Sequence, residues 1–250
     1  MDKQYLYNFC FYMRRAFDFW VIIEGAANNT GSTKWCKSMP DKYHNNGSSI
    51  DGTYNYLDEY CHGYDNPIVH HVYGLVFNKD QMVNKAIDLI KLHRSEWLNS
   101  KILEPHFLWQ IDCDEQWTSA AMDAAEKELK GDTGMFLCNY YVGPGLVARG
   151  GWGEGKSRPY RRLWGWKGQA FKSHEPPVLE GGNGKEQLLP QRFNHYAYYY
   201  EKDVEFKDKY YGGHEGIYKR WKKLQEKTVF PQPLNRLMPG RAGEICILKQ

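Results

Sequence analysis

Ten residues in the middle of the chain, His106-Phe107-Leu108-Trp109-Gln110-Ile111-Asp112-Cys113-Asp114-Glu115, constrain the fold more than any other stretch. Aromatic and aliphatic residues give way abruptly to three carboxylates. A short apolar run of this kind reads as a buried strand. Burying Asp112 or Asp114 unpartnered would cost on the order of several kcal/mol, so the carboxylates belong where the strand leaves its sheet. In open α/β sheets that edge is where ligands bind. Two aspartates one residue apart can hold a single Mg2+ or Mn2+ ion, which keeps open positions for substrate phosphates. A solvated acidic turn would be spelled with the same letters, so the surroundings must decide.

At 250 residues the chain can hold one large or two small domains and bury a substantial core. A hydrophobic content of 42% and a charged content of 25% are ordinary for a globular protein, whereas the 19 Tyr, 9 Trp and 11 Phe stand out. Flat amphipathic rings suit stacking on sugars or bases, and a Tyr-rich core and surface would read the same. The net charge of +3 is too small to imply nonspecific nucleic-acid binding. Six scattered cysteines (10, 36, 61, 113, 138, 246) with no C-x-x-C pair argue against a zinc ribbon or redox motif, and read as reduced thiols in a cytoplasmic setting. No apolar run approaches the roughly 18 residues of a membrane span, and the N-terminus lacks a signal-peptide pattern.

Residues 4 to 16 read as a helix, and Phe19 to Ile23 as a strand ending at Glu24-Gly25-Ala26-Ala27. Residues 28 to 56 form a long polar loop carrying Asp51 in a Ser49-Ile50-Asp51-Gly52-Thr53 turn. Asp51 there suits a ligand hydrogen bond or a plain Asp-Gly turn. Pro67 to Tyr73 is β-rich. Asn78 caps the next helix with Gln81 in capping-box position, and Met82, Ala86, Leu89 and Ile90 form its apolar face. Asn84 lies off that stripe, free for solvent or a ligand. After the acidic strand end, a second helix turns Trp117, Ala120, Ala121 and Ala124 inward. This strand–helix alternation predicts parallel strands with right-handed crossovers in one α/β domain. Met135 to Val142 is a further strand. The stretch from Gly143 to Lys156 is glycine-rich with no P-loop spacing, and 158 to 166 is basic and aromatic. Ala170 to Ser173 is a short strand stopped by Pro176-Pro177. A loop spans 176 to 190. Residues 198 to 225 are helical with a break at Gly212-Gly213, and the last 25 residues form a tail.

The order Phe19–Gly25, Lys79–Asn84, Leu108–Glu115 resembles glycosyltransferases of the GT-A fold, the family 2-like group in particular. The later Lys172-Ser173-His174-Glu175-Pro176-Pro177 and Asn194-His195-Tyr196, running into Phe206-Lys207 and Tyr210-Tyr211-Gly212, resemble the C-terminal half of small bacterial and viral members. The likeness covers roughly residues 5 to 215. The family opens with a strand and a nucleotide-contacting loop, whereas this chain starts almost at its first helix.

The resemblance implies a Rossmann-like, mostly parallel sheet flanked by helices. It implies a nucleotide-sugar half at about 1–142, an acceptor half at about 143–225 and a tail at 226–250. It implies transfer of a sugar from a UDP- or GDP-sugar to a glycan or other hydroxyl acceptor, with inversion, and with Mn2+ or Mg2+ as cofactor. Asp112 and Asp114 are then metal residues, joined by His195 or His174, and Glu24, Gly25, Asp51, Lys79, Asn84 and Asp112 line the donor site. An inverting enzyme also needs a carboxylate to take the acceptor's proton, for which Glu175 and Glu154 are the candidates. Arg158, Arg161 and Arg162 suit phosphate. Trp152, Trp164 and Trp166 suit an acceptor platform or a core. A nucleotidyltransferase, or a noncatalytic carbohydrate-binding protein, would use similar residue types.

Overall fold

The structure, a computed structural model, describes residues 10, 17, 19–61, 67–75, 77–93 and 106–248. Except for Cys10, which is helical, the helix expected over 4–16 lies essentially outside the described residues. The first half contains β1 (Trp20–Glu24), β2 (His44–Asn45), β3 (Ser48–Ser49), α1 (Thr53–Cys61), β4 (Pro67–His71), α2 (Lys79–His93) and β5 (His106–Trp109). It is followed by β6 (Glu115–Gln116), α3 (Ser119–Glu128), β7 (Thr133–Gly143), β8 (Leu146–Arg149), β9 (Tyr160–Trp166), β10 (Phe171–Ser173) and β11 (Val178–Leu179). The last elements are β12 (Glu186–His195), α4 (Glu201–Tyr210), α5 (Ile217–Gln225), β13 (Gln232–Pro233) and β14 (Glu244–Ile247).

The expectation of a mostly parallel GT-A sheet is overturned. β1 and β4 do pair in parallel, Trp20 opposite Pro67 through Glu24 opposite His71. The largest sheet, of eight strands, is instead built on antiparallel pairs: β5 with β9, β6 with β12, β7 with β8, β8 with β14 and β13 with β14. The physical reason is connection length. Parallel neighbours need a crossover of a dozen residues or more, while a two-residue link folds a chain straight back. Pro144-Gly145 does this between β7 and β8, with Gly145 at φ +69°. The glycine-rich stretch thus hides a strand.

The chain divides into two compact units. The first comprises Met1–Trp109, Gly131–Thr133 and Leu163–Glu186. Its parallel pair β1–β4 packs Trp20, Ile22 and Val69 against Leu57 of α1 and Cys10. Helix α2 carries the capping box that the sequence announced: Gln81 N–H donates to Asn78 Oδ1 and Asn78 N–H to Gln81 Oε1, both at 2.9 Å. Of its expected apolar face, Met82 is buried and Ile90 packs on the core, but Ile87 rather than Ala86 is the central buried residue. Ile87, flanked by Val83 and Ile90, meets Leu108, Trp164, Trp166, Phe171 and Leu179. Trp164 and Trp166 are therefore core residues.

The second unit comprises Gln110–Lys130, Gly134–Arg162 and Gln187–Gln250. Thr118 caps α3 by accepting the Ala121 N–H at 3.2 Å. That helix buries Met122 and Ala125, one residue round from the expected alanines. Trp117, just before it, stacks on Phe193 at 4.6 Å and meets Phe136 edge-on at 4.9 Å. The tail expected after residue 225 is ordered structure. β14 pairs residue for residue with β8, Glu244 opposite Arg149 to Ile247 opposite Leu146, and Leu234, Leu237, Met238 and Ile245 are buried. Among the described residues no helix is long and apolar enough to cross a membrane.

Candidate functional site

The acidic strand end lies in the second unit, and its three carboxylates go to different partners. Glu115 is fully buried, and its oxygens accept from Arg162 Nε at 2.9 and 3.0 Å and from Arg162 Nη2. Trp117 Nε1 donates to it as well, at 3.3 Å. Burial pushes the Glu115 carboxyl up and the Arg162 guanidinium pulls it back. Burial also works against the charge on Arg162, but Glu115 and Asp112 outweigh it and raise the guanidinium's pKa. Asp112 accepts from Arg162 Nη2 at 2.9 Å and keeps about a third of its side chain exposed. Arg162, expected to meet phosphate, is thus committed to two carboxylates. Arg158 is exposed and Arg161 half-buried.

Asp114 faces the other way. Its Oδ2 lies 3.5 Å from His195 Nε2 and 3.7 Å from Lys207 Nζ. The two residues meet because β6 pairs with the end of β12, His195 opposite Glu115, and because Tyr196 N–H donates to the Asp114 carbonyl at 2.8 Å. Rings enclose the imidazole: Tyr140 edge-on at 5.0 Å, Tyr160 edge-on at 5.5 Å and Phe193 at 6.0 Å. Its Nδ1 is buried without a hydrogen-bond partner among the described residues. Burial drives the Tyr140 and Tyr160 hydroxyls well above their ordinary pKa, so both stay protonated. Lys207 also donates to the Ala197 carbonyl and sits over the Tyr198 ring at 4.8 Å. Tyr198 Oη meets His214 Nε2 at 2.7 Å.

An octahedral Mg2+-like ion has ligand bonds of about 2.1 Å, which sets neighbouring ligands roughly 3 Å apart. The Asp114 oxygen and the His195 nitrogen are close to that spacing. Among the described residues no group of three His, Cys, Asp or Glu side chains converges as a complete metal site. Asp114 and His195 would supply two ligands at most, so a cation there would have to take its remaining positions from water or substrate oxygens.

Glu154 is also in the second unit. It is buried, accepts the Gly150 N–H at 2.8 Å and pairs with Arg192 Nη1 at 2.8 Å. Burial acts to raise its pKa, but Arg192 and the Gly150 N–H outweigh that and hold the carboxyl below its ordinary value. A carboxylate stabilised in this way is a weak proton acceptor.

The remaining expected residues lie in the first unit. Glu24, at the end of β1, is buried; it accepts the Ser49 N–H at 3.0 Å and lies 3.0 Å from His71 Nδ1 at the end of β4. His71 was not anticipated from sequence; only the parallel register of β1 and β4 brings it opposite Glu24. Its Nε2 is buried without a hydrogen-bond partner among the described residues, and the Tyr54 ring lies 3.8 Å from the imidazole. Gly25 has φ +143°, and a Cβ there would come within 2.8 Å of the Val72 Cβ, so glycine is what lets the two strand ends close up. Asp51 is exposed and accepts the Thr53 N–H at 3.0 Å within its Asp-Gly turn. Lys79 is exposed on the first turn of α2. Asn84 braces β10: its amide donates to the Phe171 carbonyl at 2.8 Å and accepts the Phe171 N–H at 2.7 Å.

His174 and Glu175 hang on a residue that carried no sequence signal, Asp80. Ser32 donates to Asp80 through its N–H at 2.8 Å and its hydroxyl at 2.5 Å, and His174 N–H donates at 2.7 Å. Glu175 N–H donates to Ser32 Oγ at 3.2 Å, leaving the Glu175 side chain exposed. Glu24, Gly25, Asp51, Lys79, Asn84, His174 and Glu175 thus belong to the first unit, and Asp112, Asp114, Glu154 and His195 to the second. Comparison with protein-family models, curated proteins and solved structures finds no match.

Proposed function

We propose that this protein is a metal-dependent glycosyltransferase. It would move a sugar from a nucleotide-diphosphate sugar to a glycan or other hydroxyl acceptor. The observation that carries the reading is the seating of His195 beside Asp114 by the β6–β12 pairing. A D-x-D at a strand end and one histidine more than eighty residues later were the residues the sequence pointed to for the cation. Mn2+ or Mg2+ held by Asp114 and His195 would neutralise charge on the departing diphosphate. Lys207 adds a fixed positive charge beside the same carboxylate. Asp112 is steadied by Arg162 and keeps about a third of its side chain exposed, from where it would act on the cation through water. Of the two proton-acceptor candidates, Glu154 is already matched by Arg192, and Glu175 is left as the other. An antiparallel sheet does not weigh against the activity, since chemistry resides in sites rather than folds.

Titration calorimetry with a UDP-sugar and a GDP-sugar, with and without Mn2+, tests the reading. The wild-type protein should bind one of them about tenfold or more tightly with Mn2+, a difference of about 1.4 kcal/mol. Asp114→Asn and His195→Ala should lose that gain while keeping a native circular dichroism spectrum. Metal-dependent binding retained in both variants, or absent from the wild type with every donor, would overturn it.

A further inference from the structure

The second unit contains a cavity of about 440 Å³ lined by Gly150, Gly151, Trp152, Lys156, Ser157, Gly240, Arg241 and Ala242. We infer that it binds an organic phosphate, whose phosphate group is held by Lys156, Arg241 and Ser157 and whose neutral part lies along Trp152.

The walls are fixed by backbone. β8 and β14 run side by side up to Arg149 and Glu244, and beyond that point Trp152 N–H donates to the Ala242 carbonyl at 3.2 Å. A Cβ at Gly151 would stand 2.0 Å from that carbonyl oxygen, and one at Gly243 would stand 2.8 Å from the Arg149 carbonyl. Two loops can approach this closely only through glycine. Arg241 is also positioned: its N–H donates to the Met238 carbonyl at 3.1 Å, and its guanidinium lies 4.8 Å over the Trp152 ring. A cation stacked on an indole loses side-chain freedom before any ligand arrives.

The charge balance points to an anion. Among the described residues neither Lys156 nor Arg241 makes an ion pair, whereas the nearby carboxylate, Glu154, is matched by Arg192. An ammonium, a guanidinium and a hydroxyl suit the several oxygens of a phosphate better than the two of a carboxylate. The volume exceeds what a bare phosphate fills and falls in the range of small-molecule sites, and the indole offers the flat apolar surface on which a sugar ring rests. The cavity reaches the Asp114–His195 pair through a single ring: Tyr140 meets Trp152 edge-on at 5.6 Å and His195 edge-on at 5.0 Å. The inference stands on these residues and does not require a cation at Asp114.

Calorimetry in EDTA with glucose 1-phosphate, and with glucose as its uncharged counterpart, tests it. The wild type should bind the phosphate at millimolar or lower concentration and should not bind glucose. Arg241→Gln and Lys156→Gln change exposed side chains, so both variants should fold, as circular dichroism will report. Each loses a charge-assisted hydrogen bond and should weaken binding by about tenfold or more. Asp114→Asn should bind glucose 1-phosphate as the wild type does, even where it loses Mn2+-dependent binding of a nucleotide sugar; the two readings can therefore fail separately. No binding to the wild type, equal binding of glucose, undiminished binding in the Arg241→Gln/Lys156→Gln double variant, or loss of binding in Asp114→Asn would each overturn the inference.

Discussion

Arg162 divides its guanidinium between Glu115, which is fully buried, and Asp112, which is not. Removing the cation leaves a buried carboxylate with nothing to balance it, a change that costs about 3–5 kcal/mol in comparable cases. Arg162→Met should therefore lower the urea midpoint strongly, whereas Arg162→Met/Glu115→Leu should recover much of the loss. If the double variant is no more stable than the single one, burial of the unpaired charge is not the source of the defect. The sequence marked Arg162 only as one of three basic residues. Neither its burial nor its partner is visible without the β5–β9 register, which sets Trp109 opposite Leu163 and so aligns Arg162 with the residues just beyond β5. His71 escaped notice for the same reason. A histidine in a strand carries no mark of the carboxylate on the neighbouring strand.

At the scale of elements, Asp80 ties the turn at Ser32 to the chain just after β10. Burial acts to raise its pKa, but the Ser32 and His174 hydrogen bonds prevail and hold it below the ordinary carboxylate value. A depressed folded-state pKa gives stability that is present above the unfolded value, about pH 4, and is lost as pH falls through the folded one. Asp80→Asn should therefore be less stable than wild type at pH 7, and the gap should narrow progressively as pH falls below about 4. A gap independent of pH would show that the ionised form contributes nothing. What was legible at this scale was local. β1, β4 and β7 stood out as apolar runs, the α2 cap as a four-residue signature, and the break between α4 and α5 as a glycine pair. What escaped had ambiguous punctuation. β12 contains Pro190 and follows a glycine-rich run, so its first half, to residue 190, read as part of a loop. β8 follows Pro144-Gly145 and occupies only four residues. The closeness of Asp114 and His195 depends on the β6–β12 pairing, which no local pattern in the sequence announces. The core stripes of α2 and α3 were only partly legible: Met82, Ile90 and Trp117 turn inward as expected, but neighbouring faces carry similar apolar residues, and packing chose Ile87, Met122 and Ala125.

At the scale of the molecule, both units are assembled from segments far apart in sequence, and the last stretch of chain is structural. Leu234, Leu237, Met238 and Ile245 are buried. At about 1.5–3 kcal/mol each, their burial rivals the 5–15 kcal/mol by which a whole domain is stable. A protein lacking residues 232–250 should lose protection of β7 and β8 in hydrogen exchange and be cut rapidly there by proteases. Native-like protection in the truncated protein would show that β8 does not depend on β14.

The β8–β14 ladder also sets a timetable for biosynthesis. At 5–20 residues per second, the chain from Arg149 to Glu244 takes roughly 5 to 20 s to make. During that interval β8, already released behind the growing chain, presents Leu146, Val147 and Ala148 along an edge whose partner does not yet exist. Such an edge invites pairing with other chains. The second unit is therefore most exposed to aggregation, and most dependent on chaperones, in the seconds before its final strand leaves the ribosome.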